Sequence, residues 1–74
     1  MMKPGDFVTI KLNDKTRIDP ARREIRQFDK RVARVTILES DPQSKQLLRV
    51  AVVPDGGDGF WLEADEVELL GAHS

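Results

Sequence analysis

An all-β domain of five short strands is the fold class this sequence predicts, and three observations carry the prediction. Apolar residues recur with period two in separate short runs. Clusters of Gly, Pro, Asp and Ser punctuate those runs. Helical spacing surfaces in only one stretch, residues 13–30, and there it competes with an irregular loop.

The first run is Phe7-Val8-Thr9-Ile10-Lys11-Leu12, preceded by the turn Pro4-Gly5-Asp6; its alternation puts Val8, Ile10 and Leu12 on one face, as in a half-buried strand. Residues 13–30 come next. Asp19 before Pro20 makes a good N-cap and first helical position, and Ile25, Phe28 and Val32 fall at i, i+3 and i+7, so a short helix over Pro20–Gln27 is one reading. The other is a long loop pinned by Ile18, Ile25 and Phe28. A second strand spans Arg31–Glu39, with Ala33, Val35 and Ile37 on one face and β-branched residues suited to a pleated surface. The turn formers of Ser40–Lys45 lead into a third strand over Leu47–Val53, with Leu48, Val50 and Val52 inward, so the two strands form a hairpin. Pro54-Asp55-Gly56-Gly57-Asp58-Gly59 is a turn that feeds the fourth strand, Phe60-Trp61-Leu62. Glu63-Ala64-Asp65 suits a 3₁₀ turn, and Val67-Glu68-Leu69 alternates again as the fifth strand. The expected core is Val8, Ile10, Val35, Ile37, Val50, Val52, Phe60, Leu62, Val67 and Leu69.

With 74 residues, 39% of them apolar, the chain is long enough for one small domain, expected over residues 1–70, with 71–74 as a flexible tail. No apolar run approaches the ~20 residues of a membrane helix, and the start lacks the apolar stretch of a secretory signal, so no membrane insertion and a cytoplasmic location are expected. The absence of cysteine excludes a disulfide scaffold, a thiolate metal site and a cysteine nucleophile.

The net charge of -1 conceals a polarity. Residues 11–34 hold nine basic and four acidic side chains, net +5, whereas residues 55–74 hold six acidic and none that is lysine or arginine, net -6. Either the two segments compensate each other within the domain, or they present a basic and an acidic face to different partners, because such a dipole steers encounter and orientation.

The inventory for catalysis is thin. His73 is the only histidine and sits in the tail, and without further imidazoles or thiolates no zinc or iron site can be assembled. The carboxylates of Asp55, Asp58, Glu63, Asp65, Glu66 and Glu68 read as solvated loop and strand-end charges, since acid–base work needs one of them in a dry cleft. Asp55-Gly56-Gly57-Asp58-Gly59 lacks the spaced oxygen ligands of an EF-hand and the lysine of a phosphate loop, and reads as a hairpin turn. No catalytic, cofactor or metal residues are therefore expected, and the chain is expected not to be an enzyme. Binding is better supplied. Phe60 and Leu62 share parity and point inward, which turns Trp61 outward, either beneath residues 13–30 or towards a partner. Arg22, Arg23, Arg26 and Lys30 can share one side of a helix, and with Arg17 they make the basic segment a second contact surface.

The start Lys3-Pro4-Gly5-Asp6-Phe7-Val8 and the ending Gly59-Phe60-Trp61-Leu62-Glu63-Ala64-Asp65-Glu66-Val67-Glu68-Leu69-Leu70, together with the strand order along the chain, resemble the SH3-like small β-barrels. The resemblance covers most of the chain outside residues 13–30. In size and ending it is similar to the small accessory subunits of photosynthetic electron-transfer complexes. Asp29-Lys30-Arg31 stands where that group usually has a glycine ahead of the second strand, and the long basic insertion is a further departure. The resemblance implies a five-stranded SH3-like barrel with a long basic first loop. It also implies a cofactor-free accessory subunit that docks on a larger assembly. The expected function is accordingly a protein-interaction module using Arg17, Arg22, Arg23, Arg26, Lys30 and Trp61. The alternative is a nucleic-acid-binding barrel using residues 17–34, disfavoured by the acidic remainder and the lack of clustered aromatics for base stacking.

Overall fold

Pro4 and Gly5 turn the chain into β1 (Phe7–Ile10), with Gly5 at φ 96°, a left-handed conformation that glycine adopts without a steric cost. The computed structural model describes residues 2–70; the tail expected over residues 71–74, and His73 with it, lies outside the described residues. β1 is followed by a five-residue helix α1 (Asp14–Ile18), a 3₁₀ segment Pro20–Phe28, β2 (Val32–Ser40), β3 (Leu47–Pro54), β4 (Phe60–Glu63), a 3₁₀ turn Ala64–Glu66 and β5 (Val67–Leu69). The strands form one antiparallel sheet in the order β4-β3-β2-β1-β5, so β1 lies between β2 and the last strand of the chain.

The inward face is apolar because the period-two runs align in register. Val8 lies opposite Ala33, Val35 opposite Val52, and Val50 opposite Leu62. These residues with Ile10 and Leu12 form one buried cluster, against which Phe60, Val67 and Leu69 pack half-buried. Ile37 of the expected core and Leu48, expected to point inward on the third strand, are not in it. Ile37 is 53% exposed and Leu48 is 44% exposed. Both lie beside register shifts in the β2–β3 ladder: Thr36 is extra between the Val35–Val52 and Ile37–Ala51 pairs, and Leu48 is extra between the Glu39–Arg49 and Ser40–Leu47 pairs. A bulge reverses the parity of the residues beyond it, so Ile37 turns outward while Leu38 packs against the core.

The connection between β1 and β2 is helical in both its halves. Asn13 caps α1 by accepting a hydrogen bond from the Thr16 N–H (2.9 Å), and Asp19 caps the 3₁₀ segment by accepting from the Ala21 N–H (2.9 Å), with Pro20 next in the chain as the sequence suggests. Of the two readings for this stretch, the helix over Pro20–Gln27 is met by a 3₁₀ segment, interrupted by non-helical geometry at Arg22 (φ -115°, ψ 22°). Ile25 and Phe28 pack on the core as pins, but Ile18, the last residue of α1 before extended backbone at Asp19, is 75% exposed. Phe28 stacks on Phe60 with centroids 5.8 Å apart and lies over Gly57, where a Cβ would come within 2.6 Å of its ring. A bare backbone in the β3–β4 turn is what admits the ring.

Candidate interaction surface

The bulge at Thr36 also shapes the outer face of the sheet. By placing Ile37 opposite Ala51, which in turn lies opposite Trp61, it creates a cross-strand row Ile37–Ala51–Trp61 over β2, β3 and β4. The short Ala51 side chain is buried in the middle, so the two large apolar groups flank a shallow floor, Ile37 exposed and Trp61 half-buried.

The adjacent row on that face is Glu39–Arg49–Glu63. Arg49 meets Glu39 in a two-pronged pair, Nε to Oε1 at 2.8 Å and Nη2 to Oε2 at 2.9 Å, while its guanidinium lies 4.7 Å from the Trp61 ring centroid. The hydrogen bonds from Arg49, and then its charge, hold the Glu39 carboxyl below the usual glutamate range; Glu39 raises the Arg49 guanidinium in return. The pair is solvent-exposed and adds little to stability. Its effect is geometric: Glu39 holds the Arg49 guanidinium that lies over the indole.

Trp61 thus realises neither extreme of the sequence reading. The β1–β2 connection reaches its backbone, with Arg22 Nη2 donating to the Trp61 carbonyl, while the ring is flanked by Arg49 and remains partly exposed. The basic residues are not gathered on one side of a helix, because the kink at Arg22 divides them. Arg17 pairs with Asp29 (3.1 Å) and Asp14 (3.7 Å), and Arg26 donates to the Asp19 carbonyl (3.3 Å). Arg23 and Lys30 are exposed and have no ion pair among the described residues. Ile37, Glu39 and Arg49 escaped the sequence reading because the register that unites them depends on two bulges. The signal available was the opposite charges of Glu39 and Arg49 at matching places either side of the hairpin turn.

Among the carboxylates expected to be solvated, Glu66 is an exception: it is 0% exposed. Its Oε1 accepts from the Glu63 N–H (3.1 Å) and its Oε2 from the Asn13 N–H (3.2 Å), which ties the end of β4 to the start of the connection. Glu63 and Asp65 bring carboxyl oxygens within 4.8 Å of it, yet both Glu66 oxygens serve backbone donors, a structural use that accounts for the burial of this polar side chain. No helix among the described residues is long and apolar enough to cross a membrane. Compared with protein-family models, curated proteins and solved structures, the chain matches none.

Proposed function

We propose that the chain is a small non-catalytic interaction module that docks on a larger protein assembly, with Trp61 as the central contact. The observation that carries this reading is the Ile37–Ala51–Trp61 row with Arg49 stacked on the indole: a preorganised aromatic–arginine pair on a β-sheet, beside an exposed aliphatic side chain. Tryptophan and arginine are the residue types enriched at binding hot spots, and ordering them before encounter lowers the entropy lost on association. Arg23, free of ion pairs among the described residues, lies outside this row and acts on the rate of encounter. The strand order, with β1 between β2 and β5, supports the SH3-like reading, and we carry that barrel and the accessory-subunit role within the same proposal.

Affinity capture from the native cell, quantified for the unaltered chain and two sets of variants, tests the proposal. Trp61→Ala weakens capture of a specific partner by about 2 kcal/mol or more, whereas Arg23→Glu chiefly slows association. Submicromolar binding of short RNA or DNA at 150 mM salt, lost with the basic residues and indifferent to Trp61→Ala, replaces this reading with the nucleic-acid one.

A further inference from the structure

A second exposed surface lies at the other end of β2. Phe7 and Val32, both on the outward parity of their strands, are 54% and 44% exposed. Together with Arg34, Val53, Pro54 and Asp55 they line a groove of about 480 Å³, in the range of small-ligand sites. A neighbouring groove of about 360 Å³ shares Val32, Pro54 and Asp55 and adds Lys30 and Arg31 to the walls. Arg34, Arg31 and Lys30 have no ion pair among the described residues, unlike Lys11, Arg17 and Arg49, which are paired with acids. An apolar floor is therefore bordered by three uncompensated cations and a single acid, Asp55.

We infer that this groove takes a short segment of a partner protein in which Leu- or Phe-like side chains stand beside Asp or Glu. The apolar side chains cover Phe7 and Val32, and the acidic ones meet Arg34, Arg31 and Lys30. The inference rests on the chain being a docking module but not on the Trp61 surface. A nucleic acid fits less well, because the lining is mainly aliphatic, Phe7 offers a single exposed ring and Asp55 repels phosphate. A symmetric pairing with a second copy sets the same three cations against themselves.

The test uses the full chain, fluorescence anisotropy and three labelled probes: short peptides with Leu and Phe flanked by Glu, the same peptides with Lys in place of Glu, and oligo(dT). The acidic peptides bind at least about tenfold more tightly than the Lys set, and Arg34→Glu or Phe7→Ser each weakens them by about tenfold or more. Trp61→Ala leaves that binding unchanged. Both altered side chains are exposed, and thermal unfolding of the variants checks that the fold persists. Equal binding of the Lys peptides, no binding of the acidic ones, or tighter binding of oligo(dT) overturns the inference. So does self-association that Arg34→Glu abolishes, since a second copy is then the occupant. Acidic-peptide binding lost with Trp61→Ala alone also overturns it, while leaving the docking reading in place.

Discussion

The sheet and the connection between its first two strands are held by different physics. The inward face of the sheet is a continuous apolar cluster from Val8 to Leu62. The connection, residues 11–31, buries only Leu12 and Thr16 and is fastened mostly by polar contacts at its ends and middle. Asp29 accepts from the Leu12 N–H (3.0 Å) and pairs with Arg17, Glu66 accepts from the Asn13 N–H, and Arg22 reaches the Trp61 carbonyl. The difference shows why a basic sequence is not by itself a basic binding face. Arg17, Arg22 and Arg26 serve to hold the connection down, while the exposed aromatic and aliphatic groups stand on the outer face of the apolar platform.

The largest effect separating the two regions comes from the platform. Leu62→Ala opens a cavity in the buried cluster and costs about 2–5 kcal/mol in denaturant unfolding, as a global loss. Next comes the joint between them. Glu66→Ala strands two backbone donors and costs about 1–3 kcal/mol, with the chain around Asn13 loosened first, seen as local amide-shift changes. A loss of stability under about 0.5 kcal/mol shows that the buried carboxylate is not the tie described.

Much of the platform was legible in the sequence and little of the connection was. Alternation placed Val8, Ile10, Val35, Val50, Val52 and Leu62 inward because a strand has one geometric period, and the turn chemistry of Pro4-Gly5 and Gly56-Gly57 marked the reversals. It failed at Ile37 and Leu48 because a bulge adds one residue without a sequence signature of its own. α1 is five residues long, too short to show a period, although Asn13 and Asp14 supplied a cap and an acidic first turn. Glu66 looked like its acidic neighbours, since burial with two backbone donors is decided by tertiary placement. Trp61 was legible as outward-facing from parity alone; Arg49, which lies over its ring, and Glu39, which pairs with Arg49, required the register.

Two smaller effects sharpen the contrast. Lys30 adopts φ 67° immediately ahead of β2, where its N–H donates to the Ile10 carbonyl (2.6 Å). A left-handed lysine carries about 1–2 kcal/mol of steric cost, and glycine returns about 0.4–1 kcal/mol through the freer unfolded chain. Lys30→Gly therefore raises stability by about 0.5–1 kcal/mol in thermal unfolding; a loss contradicts the left-handed assignment. The smallest effect concerns the outer face. Because the Glu39 carboxyl is held below its ordinary value in the folded chain, the Glu39–Arg49 contribution is fully present above the ordinary glutamate pKa, ~4.3, and is lost as pH falls through the lowered folded value. Trp61 fluorescence changes in that acid window while the fold persists, and Glu39→Gln removes the change.

The most direct test of the central claim, a rigid platform with a separately fastened connection, is native-state amide exchange across both regions. The amides of Val50, Val52 and Leu62 are expected to exchange only through global unfolding, while those of residues 14–19 and 21–28 exchange through local opening at least about 100-fold faster. Equal protection in the two regions, falling together in denaturant, would contradict the claim and make the connection part of the same cooperative unit as the sheet.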